Sequence, residues 1–148
     1  MKRIGITGSL ASGKSTASKI LQKKGPVFNA DNIVKKLYSQ EKFRKYISKK
    51  LKIQNNSDLK SSIKQKILKD KSFIIKLEKI IHPLVRKEMQ DFIKKNKNKK
   101  LTFFEIPLLV ENHLMKNFDS IIFIKAKRSL RLERFKKKGG NKIFFNIL

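Results

Sequence analysis

Apolar residues in the first part of the chain fall into short continuous runs and helical repeats of three and four residues. Residues 2–7 read KRIGIT, a short apolar run that predicts a strand leading directly into glycine. Residues 14–24 then carry apolar side chains at helical spacing and stop before Gly25, where glycine favours the end of a helix. The predicted order is therefore strand, glycine loop, helix.

The middle of the chain is predominantly helical. Residues 26–29 predict a brief second strand, and apolar residues at helical spacing predict a helix that begins near Asp31. From about residue 43 to residue 98 the pattern is helical and rich in lysine, and Pro83 interrupts it. Because proline suits the first turn of a helix, we expect one helix to end just before His82 and another to begin there.

Two further apolar runs follow the helical region. Residues 101–106 read LTFFEI and residues 120–124 read SIIFI, as in parallel strands that are covered on both faces. A short helix over residues 111–116 is expected to connect them, and a last helix is expected over residues 129–138. The alternation of strands and helices predicts an α/β fold, with a parallel sheet, helices on both faces and right-handed crossovers.

The length of 148 residues predicts a single domain over residues 1–148. Its sheet and phosphate-binding core are expected over residues 1–40 and 99–128. The helical insertion, residues 41–98, would form a substrate-binding subdomain. Residues 129–148 would form part of a lid.

The clearest motif lies between the first strand and the first helix, where residues 8–16 read GSLASGKST and satisfy G-x-x-x-x-G-K-[ST]. Glycines at both ends let the backbone curl so that its N–H groups point inward, and the following helix adds the positive end of its dipole. Lys14 would reach the β- and γ-phosphates of ATP, the Ser15 hydroxyl would ligate Mg²⁺, and Thr16 would support the α-phosphate. The predicted nucleotide-binding residues are Gly8, Ala11, Ser12, Gly13, Lys14, Ser15 and Thr16.

Charge raises the question of a nucleic-acid partner, because the formal net charge is +27, from 38 lysines and arginines against 11 acidic residues. Of these cations 32 are lysine and only 6 are arginine, whereas proteins that read the grooves of DNA depend on arginine for bidentate base contacts. We therefore interpret the excess as a solvated lysine coat that attracts polyanionic substrates, and we expect no specific nucleic acid as partner.

Composition also indicates the compartment. The sequence contains no cysteine, which excludes a disulfide framework and a thiolate metal site and fits a reducing compartment. No apolar run approaches the roughly 20 residues of a membrane span, and the first residues show no export signal. We expect a soluble cytoplasmic protein with no membrane partner.

Four further segments, together with the phosphate loop, resemble the dephospho-coenzyme A kinases. Residues 29–31 read Asn-Ala-Asp where the family has Asp-Ala-Asp after the second strand, so Asn29 departs from the motif. Residues 80–86, IIHPLVR, resemble the family's His-Pro segment, and residues 107–111, PLLVE, resemble its Pro-Leu-Leu-x-Glu segment. Arg134 matches the family's lid arginine. Five separated segments in the family's order are far more specific than a phosphate loop alone.

The resemblance implies transfer of the γ-phosphoryl group of ATP to the ribose 3′-hydroxyl of dephospho-coenzyme A, the last step of coenzyme A synthesis. It implies that Asp31 is the base for the acceptor hydroxyl and that Arg134 neutralises charge on the transferred group. Lys14 completes the predicted catalytic set. His82 and Arg86 would contact the phosphates of the acceptor.

Several of these residues have a second interpretation. Asp31 is also a good helix N-cap, and Arg134 is also a cation on an exposed helix. Glu105, at the end of the third strand, would either help to hold Mg²⁺ through water or form a strand-end salt bridge. His82 is a common type of helix-capping residue. Glu111 would either orient the helix after PLLVE or be a solvated acid.

Two alternatives to this activity remain open. One is another kinase of nucleosides or metabolites with the same phosphate loop. The other is a basic nucleic-acid-binding protein whose phosphate loop is only structural.

The resemblance ends near Lys138, a second basic lid position that is often arginine in the family. Family members continue for some fifty residues, with a fifth strand and a closing helix. We expect a chain without them to expose an apolar sheet edge, to bind ATP weakly and to self-associate.

Overall fold

Four parallel strands form the sheet of this computed structural model, which describes residues 1–53, 59–107, 109–110 and 113–147. The strands lie in the order β2-β3-β1-β4, and each pairing is parallel. The predicted α/β fold with a parallel sheet is confirmed. The strands are β1 (Lys2–Thr7), β2 (Val27–Asn29), β3 (Leu101–Glu105) and β4 (Ser120–Phe123).

The helices follow the strands in the order that crossover connections require. A short 3₁₀ helix, Met115–Asn117, precedes β4. The α-helices are α1 (Lys14–Leu21), α2 (Ala30–Ser39), α3 (Glu41–Leu51), α4 (Leu59–Lys69), α5 (Phe73–Lys95), α6 (Arg128–Lys137) and α7 (Lys142–Ile147).

Aromatic rings form the centre of the sheet's core. Phe104 is completely buried, and its ring centroid lies 6.0 Å from that of Phe28, 5.5 Å from that of Phe92 and 5.4 Å from that of Phe118. These separations are in the range that tilted and edge-to-face aromatic pairs prefer. Two strands, the end of α5 and the segment before β4 are thereby joined through one side chain.

The two faces of the sheet have different partners. Phe28 and Phe104 are register partners in the β2–β3 pair, so they point to the same face, where Phe92 of α5 packs against them. Successive residues of a strand point to opposite faces, and the next residue, Glu105, bonds to Ser15 of α1. The predicted helices on both faces are therefore present.

The chain divides into two compact units. The first unit contains residues 1–31 and 91–148, and with them the sheet and the phosphate loop; the second contains residues 32–90. In the second unit, Tyr38 lies edge-on to Phe43 with ring centroids 5.4 Å apart, and burial raises the pKa of Tyr38 to about 12. The buried apolar residues of the second unit are Phe43, Ile47, Leu51, Ile53, Leu59, Ile63, Ile67, Phe73 and Ile81.

The expected helix break at Pro83 is wrong, because α5 runs through it from Phe73 to Lys95. Proline has no N–H to donate to the carbonyl four residues earlier and usually kinks or ends a helix. In α5 the apolar repeat continues on both sides of the proline, and Phe73 and Ile81 are buried. After the proline, the Phe92 ring packs on those of Phe28 and Phe104, so α5 has packed apolar side chains on both sides of the position that lacks the hydrogen bond.

The other predicted boundaries differ by only a few residues. Helix α1 ends three residues earlier than expected. Of the predicted helix over residues 111–116, Glu111 and Asn112 lie outside the described residues, and the remainder is a turn leading into the 3₁₀ helix. After the predicted helix over residues 129–138, where no further element is predicted, the chain forms α7, and Phe145 packs on Phe135 with ring centroids 5.6 Å apart. Of the helices described, none has both the length and the apolar character needed to cross a membrane.

The aromatic core predicts a large loss of stability for Phe104→Ala. Removing a buried ring that contacts three others should lower the free energy of unfolding by about 3–5 kcal/mol, measured by urea denaturation. Phe123→Ala is the matched control, since Phe123 also lies on a strand but is 53% exposed and should cost less than about 1 kcal/mol. Equal losses for the two variants would contradict this description of the core.

Candidate active site

The loop between β1 and α1 adopts the curled backbone that its glycines permit. Gly8 has φ 145° and Gly13 has φ 111°, both in the region that side chains disfavour. A Cβ atom on Gly8 would lie 2.2 Å from the carbonyl oxygen of Ile124, so no larger residue fits there. Gly13 is the N-cap of α1, and the first N–H groups of that helix are therefore presented beside the loop.

The Lys14 side chain folds back into this loop. It is only 9% exposed, and its Nζ donates hydrogen bonds to the carbonyl oxygens of Gly8 at 2.8 Å and Ser9 at 3.0 Å. The buried ammonium is thus held where the loop curls. A bound anion at this position would meet both the ammonium and the start of α1.

Ser12 contributes a buried hydroxyl to the same loop. Its side chain is 4% exposed, and its Oγ has no hydrogen-bond partner among the described residues. Buried polar atoms without partners are rare in folded proteins. The loop therefore retains the capacity to donate a further hydrogen bond to a ligand.

Glu105 joins three elements at the carboxyl edge of the sheet. It is 1% exposed; its Oε1 accepts a hydrogen bond from the Ser15 hydroxyl at 2.9 Å, and its Oε2 accepts one from Asn29 Nδ2 at 2.5 Å. Asn29 and Glu105 are register partners at the ends of β2 and β3. Both of these donors are neutral, so neither bond is the strand-end salt bridge that was one of the two interpretations of Glu105.

A cleft of about 570 Å³ lies beside the loop, within the size range of small-molecule sites. Three cations, Lys14, Arg134 and Lys138, and two carboxylates, Asp31 and Glu105, line it, so the lining has a net charge of +1. The remaining lining residues are Leu10, Ala11, Ser12, Gly13, Ser15, Thr16, Ala17 and Ile20.

Asp31 lines this cleft from the start of α2. Helix α2 begins at Ala30, which places Asp31 inside the first turn and not at the N-cap position that the alternative interpretation requires. The side chain is exposed, so a bound acceptor can reach it.

Two arginines of α6 contact the backbone of the loop. Arg134 Nη1 donates to the carbonyl oxygen of Ser12 at 3.2 Å, and Arg131 Nη1 donates to that of Leu10 at 3.4 Å. Arg134 was predicted from the sequence, whereas Arg131 was not. Arg131 could have been found from its spacing of three residues to Arg134, which places both side chains on one side of a helix.

His82 and Arg86 lie on α5 in the second unit, one turn apart and therefore on the same side of the helix. The structure thus places these two residues outside the unit that contains the cleft. Their assignment to the acceptor stays a prediction. Glu111 lies outside the described residues.

The described residues contain no group of three or more His, Cys, Asp or Glu side chains that could hold a metal ion. Mg²⁺ that accompanies a nucleotide is typically held by one or two protein side chains, water and the phosphates. The Ser15 hydroxyl beside the Glu105 carboxylate fits that donor set.

Comparison with solved structures supports the fold. A crystal structure from Thermus thermophilus is similar with a TM-score of 0.77 at 24% identity, covering 99% of this chain and 76% of that one. The dephospho-CoA kinase of Campylobacter jejuni is similar with a TM-score of 0.54 at 21% identity, covering 93% of this chain and 96% of that one. At these identities the likeness shows the fold alone.

Sequence comparison goes further. The dephospho-CoA kinase of Bartonella henselae is 36% identical over 139 residues, which are 90% of this chain and 71% of that protein. The dephospho-CoA kinase of Fusobacterium nucleatum is 34% identical over 136 residues, 88% of this chain and 70% of that protein. The family model described as dephospho-CoA kinase matches residues 2–143. With its phosphate loop and its sheet in the expected places, the chain belongs to the dephospho-CoA kinase family.

Proposed function

We propose that this chain transfers the γ-phosphoryl group of ATP to the ribose 3′-hydroxyl of dephospho-coenzyme A. The observation that carries the proposal is one cleft lined by the Lys14 ammonium, the Asp31 carboxylate and the Arg134 guanidinium. A phosphate cradle, a base and a second cation are the groups that phosphoryl transfer requires of a protein. The acceptor is taken from the family to which the chain belongs.

The β- and γ-phosphates of ATP bind in the curl of the loop. Lys14 exchanges its bonds to the carbonyl oxygens of Gly8 and Ser9 for bonds to phosphate oxygens, which are stronger because both partners are charged. The Ser12 hydroxyl, without a hydrogen-bond partner among the described residues, donates to the same phosphates. The first N–H groups of α1 add their partial positive charge.

Mg²⁺ accompanies the nucleotide in this proposal. Ser15 and Glu105 would hold it, Ser15 directly and Glu105 through water. When bound, the ion would neutralise negative charge on the phosphates of the nucleotide. The protein contributes a hydroxyl and a carboxylate already bonded at 2.9 Å, so neither side chain has to be ordered when the nucleotide binds.

Asp31 accepts the proton of the acceptor hydroxyl. As the hydroxyl oxygen bonds to the γ-phosphorus, the bond from that phosphorus to the bridging oxygen breaks, ADP leaves with the electron pair, and the proton goes to the carboxylate. Asp31 suits this role because it is exposed and lines the same cleft as Glu105. A base must lie within hydrogen-bond reach of the proton that it takes.

Arg134 and Lys138 neutralise charge on the transferred group. Arg134 lies close enough to the loop to donate to the Ser12 carbonyl, so a small movement of its guanidinium brings it to a γ-phosphate in the cradle. Preorganised cations of this kind stabilise the charge that develops in the transition state. His82 and Arg86 of α5 are proposed to bind the acceptor's own phosphates.

The activity is tested by measuring ADP release with dephospho-coenzyme A, with nucleoside monophosphates and with no acceptor. We expect ADP release to depend on dephospho-coenzyme A, and mass spectrometry should show coenzyme A as product. Release driven by a nucleoside monophosphate instead would favour a different kinase of this fold. Release in the absence of any acceptor would indicate a nucleotide hydrolase.

Lys14→Ala should lower kcat by about 10² or more, because it removes the ammonium that contacts the transferred phosphate. The variant should still fold, with a lowered thermal midpoint, because the carbonyl oxygens of Gly8 and Ser9 lose their donor; circular dichroism at the assay temperature checks that it is folded. Lys19→Ala is the matched control: Lys19 lies on the same helix but is exposed and absent from the cleft, and its removal should leave kcat unchanged. Near-normal turnover in Lys14→Ala would remove the basis for the proposed phosphate site.

Asp31→Asn should retain nucleotide binding and lose transfer by about 10² or more, since an amide does not accept the hydroxyl proton. Binding is followed by titration with a fluorescent ADP analogue and transfer by the ADP-release assay. Asp91→Asn, at an exposed position of α5 outside the cleft, is the control and should behave like the parent chain. An active Asp31→Asn variant with lowered stability would instead assign Asp31 a role in the helix.

A further inference from the structure

Asn29 stands at the end of the shortest strand, next to a buried carboxylate. Strand β2 has three residues, Val27–Asn29, and Asn29 pairs in register with Glu105 at the end of β3. The Asn29 amide donates to Glu105 Oε2 at 2.5 Å, while Ser15 donates to Oε1 of the same carboxylate at 2.9 Å. One carboxylate is thus held from both sides.

The orientation of a glutamate carboxyl group is weakly fixed by its own torsion, because rotation about the last side-chain bond is broad. A donor on one oxygen fixes the plane of the group and therefore the direction of the other oxygen. In this site the second oxygen is the one that bonds to the Ser15 hydroxyl. Asn29 is therefore linked to Ser15 through the Glu105 carboxylate, although Asn29 is not among the residues that line the cleft.

We propose that Asn29 is a positioning residue that fixes the Glu105 carboxylate so that Ser15 and Glu105 together hold the cation of a bound nucleotide. The proposal rests on the function proposed above for Ser15 and Glu105. Groups that hydrogen-bond to metal ligands orient them, and their loss typically lowers metal affinity by about 10- to 100-fold. Asn29 occupies that place with respect to Glu105.

The amide is suited to this neighbour in a way that a carboxylate is not. Nδ2 lies 2.5 Å from Glu105 Oε2, so an aspartate in the same conformation would bring two carboxylate oxygens into contact beside a buried strand end. Two like charges this close repel each other. Because the chain has Asn29 where the Asp-Ala-Asp motif has aspartate, the register partner of Glu105 is an amide that donates a hydrogen bond and not a second carboxylate.

The simpler interpretation is a structural tie between β2 and β3. Loss of the bond would then lower stability and loosen the strand edge without any specific effect on a cation. The ratio of nucleotide affinities with and without Mg²⁺ separates the two roles. A purely structural hydrogen bond between β2 and β3 should leave this ratio unchanged.

The experiment measures the dissociation constant of a fluorescent ADP analogue for the whole chain, in excess EDTA and in excess Mg²⁺. Asn29→Leu should reduce the Mg²⁺-dependent gain in affinity by about tenfold, while affinity in EDTA stays within about twofold, since the loop is untouched. Asn29→Gln, which keeps an amide donor, should recover most of the gain. If Asn29→Leu fails to fold, Asn29→Ala removes the amide without adding bulk, and the same result is expected.

Asn96→Leu is the matched control. The Asn96 amide also makes a close hydrogen bond, to the Phe92 carbonyl at 2.8 Å, but Asn96 is not among the residues that line the cleft, so its loss should leave the Mg²⁺ gain unchanged. The proposal is overturned if the Asn29 variants lower affinity equally with and without Mg²⁺, if only their melting temperature changes, or if Asn29→Gln is no better than Asn29→Leu. The assay needs no acceptor, so failure of transfer to dephospho-coenzyme A would contradict the proposed function and leave this result standing.

Discussion

A buried carboxylate is the constraint on which the site depends. Glu105 is 1% exposed, and a charge removed from water is tolerated only when hydrogen bonds replace its hydration. Two of its bonds come from separate elements, Asn29 at the end of β2 and Ser15 in the first turn of α1. Satisfying one side chain therefore fixes a neighbouring strand and the helix of the phosphate loop relative to each other.

The same edge of the sheet collects the other groups. In a parallel sheet all strands point the same way, so their carboxyl ends meet along one edge, where open α/β sheets bind ligands. Thr7 leads from β1 into the loop, and the carbonyl oxygen of Ile124, just after β4, lies 2.2 Å from the position that a Cβ on Gly8 would take. The backbone that follows β4 therefore leaves no space for a side chain at position 8, and only glycine fits there.

Much of this was readable from the sequence because the signals are local. The strand before the loop, its glycines and the helix after it lie within residues 2–21, and each has its own short-range pattern. The bond between Asn29 and Glu105 joins residues 76 positions apart, and no periodicity reports such a contact. The prediction at Pro83 was wrong for the opposite reason: proline favours a break locally, whereas α5 continues through it with Ile81 buried before it and Phe92 packed on Phe104 after it.

The basic residues around the loop show how the site stays folded before a ligand arrives. Lys14, Arg131 and Arg134 all donate to carbonyl oxygens of the loop, which are neutral acceptors. Phosphate oxygens are charged acceptors and make stronger bonds with the same cations. In the proposed function, nucleotide binding would exchange the bonds of Lys14 for stronger ones within a backbone that is already curled. Little ordering entropy would be lost at that step, because the Lys14 ammonium is already held at the loop and Arg131, which lies over the Phe145 ring at 5.4 Å, already holds the loop carbonyl of Leu10.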